Sequence, residues 1–320
     1  MFLKMSGFAR ASMCVGVLAS AAMLASCGGG DPEQTFFADR VISLGDEMSV
    51  INADQTKFSV NGLKAGSTTV FDCSVNPLWV QQVAALYGLV FPQCPFIGTT
   101  TVTSPVSRIY AQEGATVASL DAQITQQLNN GGFTSGDMVT ILVGANDVIA
   151  EFAKYPNTGE AQLLANLDAA GTLLAQQVNR ISGTGARVLI STIPDMGLTP
   201  FAGDRSAGST NSNPALLSRL SARFNDAMLA NISNDGHKIG LIQLDEYLQA
   251  NDAAAKFGQG NFNNTTQASC AVALPNCSTS TLVTAAVNSV WMWADARHLS
   301  ASAQANLGSL ATTRAVNNPF

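Results

Sequence analysis

Four short apolar runs, each closed by a polar turn, set the rhythm of this chain. Val41-Ile42-Ser43-Leu44 ends at Gly45-Asp46, and Met138 to Val143 ends at Gly144-Ala145-Asn146-Asp147. Val188 to Ile193 ends at Pro194-Asp195, and Ile239 to Leu244 ends at Asp245. Continuous, β-branched runs of this kind predict parallel strands covered on both faces. Between them the apolar positions change to helical spacing. Leu120, Ile124 and Leu128 recur every four residues; Leu163, Leu164, Leu167, Leu174, Val178 and Ile181 form a stripe that Gly183-Thr184-Gly185 breaks; Leu216 to Ile232 repeats the pattern. Strands alternating with helices predict right-handed crossovers and a three-layer α/β/α sandwich around a central parallel sheet. Ligands in such folds bind beyond the carboxyl ends of the strands, where Asp46, Asn146 and Asp195 would sit. Phe201 to Pro214 reads as a long polar loop.

The N-terminus has a different pattern. Lys4 and Arg10 precede an apolar stretch, Ala11 to Ser26, that ends in Leu24-Ala25-Ser26-Cys27. A basic head, a short apolar core and small residues before a cut describe a secretory signal peptide. Leu-Ala-Ser-Cys resembles the bacterial lipobox, which implies that Cys27 is acylated and becomes the first residue of an exported lipoprotein. The apolar run is short for spanning ~30 Å of hydrocarbon. The expected organisation is therefore a signal peptide over 1–26, a glycine-rich tether over 27–35 and one domain over 36–320. The membrane, reached through the lipid anchor, is the expected partner. Gly28 after the cysteine resembles the outer-membrane sorting pattern, which implies a periplasmic or surface-facing protein.

Charge narrows the partners. The net charge is -6, and loss of Lys4 and Arg10 with the signal takes it to -8. An acidic body without a basic block excludes nucleic acid as the expected partner. Of six cysteines, Cys14 leaves with the signal and Cys27 carries the lipid, so Cys73, Cys94, Cys270 and Cys277 remain for an oxidising compartment. Three pairings are possible. Cys73–Cys94 with Cys270–Cys277 is preferred because each pair brackets a loop-like stretch. With no Cys-x-x-Cys spacing and two histidines, no metal site is expected, and no nucleotide or organic cofactor is implied.

Four segments carry the candidate chemistry, in this order: Gly45-Asp46-Glu47, Glu113-Gly114-Ala115, Gly144-Ala145-Asn146-Asp147 and Asp295-Ala296-Arg297-His298. Each alone is weak. Their order and their positions at strand ends resemble the SGNH, or GDSL, hydrolases, serine esterases and lipases on a flavodoxin-like α/β fold. The resemblance runs from about Phe36 to Thr313. It includes Leu78-Trp79-Val80, Ala84 to Leu89, Ile193 to Pro200, Phe224-Asn225, Asp245 and Phe257 to Cys270. It implies hydrolysis of a small-molecule or lipid ester. Asp295 would orient His298, and the Gly114 N–H and Asn146 amide would donate to an oxyanion. Asp46 and Asp147 are secondary candidates. His237 is a bystander.

One position departs from the family. Serine is expected directly after Gly-Asp, and here that residue is Glu47. Ser49 lies two residues on, about 200° around a helical turn, and should face away from His298. Three readings stay open. Ser49, a secondary candidate, substitutes as the nucleophile in a rebuilt turn. Glu47 is itself the reacting carboxylate, with His298 and Asp295 as partners; or the Glu47 carboxylate fills the oxyanion donors, and the chain is a catalytically silent surface binding protein.

Overall fold

The computed structural model describes residues 36–206, 213–233, 236–287 and 290–317. Cys27 and the segments 1–26 and 27–35 lie outside the described residues. The apolar runs become strands β1 (Arg40–Gly45), β5 (Asp137–Leu142), β6 (Arg187–Ser191) and β7 (Ile239–Ile242), with β4 (Arg108–Ile109) as a short fifth member. Two small pairs lie outside this sheet: β2 (Phe96–Ile97) with β3 (Thr100–Thr101), and β8 (Asn264–Ala268) with β9 (Trp291–Trp293). The helices are α1 (Trp79–Leu86), α2 (Val117–Asn129), α3 (Ala145–Phe152), α4 (Glu160–Ser182), α5 (Pro200–Ser206), α6 (Pro214–Asn231), α7 (Leu244–Ala255) and α8 (Ala301–Asn317).

The five main strands are parallel and stand in the order β4-β1-β5-β6-β7. Counted along the chain, that is the 2-1-3-4-5 order of flavodoxin-like folds, and its switch point falls between β1 and β5. The predicted α/β architecture is what forms. One set of helices packs together as α2, α3 and α6 around α4, while α1 packs on α8. Val41, Ile42, Leu44, Val139, Ile141, Val188, Leu189 and Ile190 are fully buried. Strands covered on both faces bury every side chain, which is why these runs do not alternate.

The expected boundaries shift in three places. Leu128, placed on the buried stripe, is 42% exposed, whereas Gln127 is fully buried. The buried face follows Leu120, Ile124 and Gln127, and Gln127 accepts hydrogen bonds from Arg108 and Tyr110. Leu244 does not end a strand but begins α7. The expected loop from Phe201 opens as a helix instead: Pro200 supplies the fixed φ that suits a first helical position.

Both strand-end glycines are conformational requirements. Gly45 has φ +124°, and a Cβ there would lie 2.0 Å from the Leu142 carbonyl oxygen. Gly144 has φ +129°, and a Cβ would lie 2.2 Å from the Phe224 ring. They let the chain leave β1 and β5 at the switch point while α6 packs close behind. Gly144→Ala is expected to cost more than ~1 kcal/mol from the left-handed backbone alone. In a circular-dichroism melt, Tm should fall by at least about 2–4 °C. Gly203→Ala, inside α5 where a Cβ meets nothing within 4 Å, should not lower Tm.

Candidate functional site

The loops that follow β1, β4 and β5 and the loop before α8 converge on Glu47. After Gly45, Asp46 caps a single 3-10 turn, Glu47–Ser49, by accepting from the Met48 N–H at 3.1 Å. That turn aims Glu47 across the end of β1. One carboxylate oxygen, Oε2, accepts from the Gly114 N–H at 2.9 Å and from Asn146 Nδ2 at 3.0 Å. The other, Oε1, lies 3.2 Å from His298 Nε2 and 3.7 Å from Arg297 Nη2. Asp295 completes the row: both its oxygens are 2.8 Å from His298 Nδ1. The four segments singled out in the sequence thus meet through side chains and one backbone N–H.

Each member is held from behind. Asp295 Oδ1 also accepts from the N–H groups of Arg297 and His298, so the carboxylate builds its own turn. Ala294 donates to the His298 carbonyl, and the Phe58 ring lies 6.0 Å from the imidazole. The Asn146 amide donates to Ala115 O as well as to Glu47, and its oxygen faces Arg297 Nη1. Gly114, at φ +70°, turns its N–H inward. Asp147, at the start of α3, accepts from Val117 N and ties α2 to that corner.

Charge follows from burial and partners. Burial by itself pushes the Glu47 carboxyl up, but the His298 hydrogen bond and charge, with Asn146, outweigh it and hold the group down at about 2. Burial likewise pushes His298 down, yet Asp295 and Glu47 raise it to about 9. Asp295 is lowered: burial opposes ionisation and His298 overcomes it. At neutral pH the row therefore reads carboxylate, imidazolium, carboxylate. Asp46 shows the opposite balance. Burial, and then the neighbouring Glu47 charge, push it well above the usual carboxylate range, and its Oδ2 has no hydrogen-bond partner among the described residues. Burial raises Asp147 to about 6.

Ser49 takes no part in the row. Its hydroxyl accepts from Trp79 Nε1 at 3.1 Å. Asp195 caps the 3-10 turn Met196–Leu198, while Asn225 and Asp245 brace the end of β6 through Ile193 and Thr192. His237 lies exposed between α6 and β7. Sequence reasoning missed two glutamines. Gln123 bonds both the N–H and the carbonyl of Gly45, acting as an extra strand edge, and Gln304 accepts from Trp79 N and donates to Met48 O. The signal for Gln123 was its place on the Leu120–Ile124 face. Arg297 lay inside a quoted motif but had no assigned role.

The preferred cysteine pairing forms: Cys73–Cys94 and Cys270–Cys277. The model of the GDSL-like lipase/acylhydrolase family matches residues 68–311, well over half of the chain. The chain belongs to that family. Gly114, Asn146, Asp295 and His298 fall inside the matched region, and Glu47 lies before it. No curated protein matches the chain. Among solved structures, it is similar to an extracellular lipase from Streptomyces rimosus, at 16% identity and TM-score 0.47 over 88% of this chain and 100% of that one. A lipase from the goat rumen metagenome matches at 11% identity and TM-score 0.48, covering 87% of this chain and 97% of its own. A catalytic mutant of an acetylxylan esterase from Geobacillus stearothermophilus matches at 12% identity and TM-score 0.46, covering 90% and 99%.

The ion pair has a defined pH window. The His298 contribution is complete below its unfolded value of 6.5 and is lost as pH rises through about 9. The Glu47 contribution is complete above 4.5 and is lost as pH falls through about 2. The Tm deficit of Glu47→Gln relative to wild type should therefore be largest between pH 4.5 and 6.5 and should shrink as pH rises from 6.5 through about 9. A pair of calorimetric pH series checks this. A deficit that grows towards pH 10 would contradict the assignment of charges.

Proposed function

We propose that this family member is an exported, lipid-anchored hydrolase of ester bonds in which Glu47 stands in for the nucleophilic serine. The observation that carries the reading is the continuous row from Asp295 through His298 to Glu47, with the Gly114 and Asn146 donors on the far oxygen. A carboxylate needs no deprotonation to attack. His298, aligned by Asp295, is placed to exchange a proton with water or a leaving group next to Glu47. Gly114 and Asn146 are placed to stabilise a developing oxyanion, and loss of one such donor costs about 10²–10³ in kcat. The GDSL family description supports ester hydrolysis as the reaction class.

One observation favours a second reading. Glu47 Oε2 occupies both donors in the resting state, as a permanent oxyanion would, and a protein so arranged would bind its ligand without turnover. Protein starting after Cys27 and offered carboxylic, phosphoric and sulfuric esters separates the two. Turnover of at least one class, abolished in Glu47→Gln and His298→Ala and reduced on the order of a hundredfold in Asn146→Ala, is expected. Activity gained only in Glu47→Ser would establish the binding-protein reading instead.

The anchor is tested independently. Full-length protein expressed in a bacterium should fractionate with membranes, and Cys27→Ser should release it or leave it with an uncleaved signal. Soluble wild type would refute lipidation.

A further inference from the structure

The seat of Glu47 limits the bond it can break. In acyl transfer, the substrate's carbonyl oxygen must reach the oxyanion donors as charge builds on it. Here Glu47 Oε2 already holds the Gly114 N–H and the Asn146 amide. A carboxylic ester entering this site finds those donors taken. Oε1 is the oxygen left to react, facing His298 Nε2 and Arg297 Nη2.

We propose that Glu47 Oε1 attacks a saturated carbon, and that the substrates are alkyl esters of strong acids, such as alkyl sulfates and sulfonates. The proposal rests on the reading of Glu47 as the reacting carboxylate. Displacement at a tetrahedral carbon creates no oxyanion in the substrate, so the occupied donors are no obstacle. A bond forms between Oε1 and the alkyl carbon while the carbon–oxygen bond to the sulfate breaks, its electron pair leaving with the sulfate. The product is an alkyl ester of Glu47 whose carbonyl oxygen is Oε2, already on Gly114 and Asn146. The donors that obstruct acyl transfer in the first step are in place for the second.

The second step follows from the same contacts. Alkylation removes the Glu47 charge that helps hold the proton on His298, and that proton passes to solvent. Neutral His298 then takes a proton from water, and the hydroxide adds to the Glu47 ester carbon. Charge develops on Oε2, and collapse expels the alkoxide, which takes the proton from His298. The new carboxylic acid ionises onto His298 and restores the resting pair. One water is consumed, and an alcohol, a sulfate and a proton are released.

The leaving group is set by what surrounds the nucleophile. His298 and Asp295 both stand on the Glu47 side, so no acid in the row reaches a group departing from the opposite face of the carbon. That group must leave as the anion of a strong acid. Arg297, with its side chain 35% exposed beside Oε1, adds positive potential next to the nucleophile, which draws an anionic ester such as an alkyl sulfate towards it.

The test uses the chain starting after Cys27 with hexyl sulfate, hexyl methanesulfonate and a hexanoate ester. Turnover of the sulfate or the sulfonate, falling more than about a hundredfold in Glu47→Gln, is expected, with little on the hexanoate. In His298→Gln, or His298→Asn if the former does not fold, mass spectrometry should find one hexyl group on the peptide containing Glu47. A single wild-type turnover in heavy-oxygen water should label Glu47 and not the hexanol. Label in the hexanol, or Glu47-dependent turnover confined to the hexanoate, overturns alkyl transfer and leaves the ester-hydrolase reading standing. Absence of Glu47-dependent turnover on every ester overturns both.

Discussion

The carboxylate of Glu47 is the point on which the site depends. It is a buried charge, and a buried charge is tolerated only when its lone pairs are satisfied and an opposite charge is close. Oε2 has two donors, Oε1 has the imidazolium, and His298 is secured in turn by Asp295. These contacts join the segment after β1, the loop after β4, the start of α3 and the turn before α8. A parallel sheet with a switch point between β1 and β5 brings such distant segments to one edge. After β1 the chain leads to the layer of α1 and α8, and after β5 to the layer of α3 and α4, so Glu47 and Asn146 face each other across the crevice between the two exits.

The turn carrying His298 is buttressed by polar groups in the long connection before α1. Ser59 donates to Leu299 O, and Asn61 donates to the carbonyls of Pro275 and Cys277 beside the second disulfide. Lys57 is fully buried and donates to the carbonyls of Cys73, Val75 and Asn76. Burial lowers its pKa to about 7. A compact segment with little regular structure has many backbone carbonyls to satisfy, and a lysine with three donors serves several at once. Its titration runs opposite to that of His298: unfolding takes up a proton at Lys57 over the range where it releases one at His298. The overall pH dependence of stability therefore conceals both, and only differences between variants expose the ion pair.

A glutamate at position 47, where the family resemblance leads one to expect serine, sets the electrostatic character of the site. A neutral hydroxyl would leave the Gly114 and Asn146 donors open and His298 with one anionic partner. The carboxylate closes the donors and adds a second anion, so His298 rests protonated. The resting site thus resembles a charged intermediate, with the oxyanion supplied by the protein itself. Asp46 is buried, and burial together with the same negative charge pushes it towards its neutral form. Two adjacent acidic residues take opposite states because one has the partners and the other does not.

The sequence by itself determined the layer architecture and the membership of the row. The architecture follows from local patterns: unbroken apolar runs for strands covered on both faces, and helical stripes between them. The row was legible because Glu47, Gly114, Asn146, Asp295 and His298 sit in short motifs at strand ends or before a helix, where the fold class expects chemistry. What the sequence left open was the direction of each polar group. That both oxygens of Glu47 are occupied, that Ser49 turns to Trp79, and that Gln123 completes the edge of β1 depend on groups far apart in the chain. The buried polar residues Thr56, Lys57, Ser59 and Asn61 gave no signal in the sequence, because periodicity reports only apolar burial. Tertiary structure decided these matters, since a buried polar group takes its role from the partner that satisfies it, and that partner comes from another part of the chain.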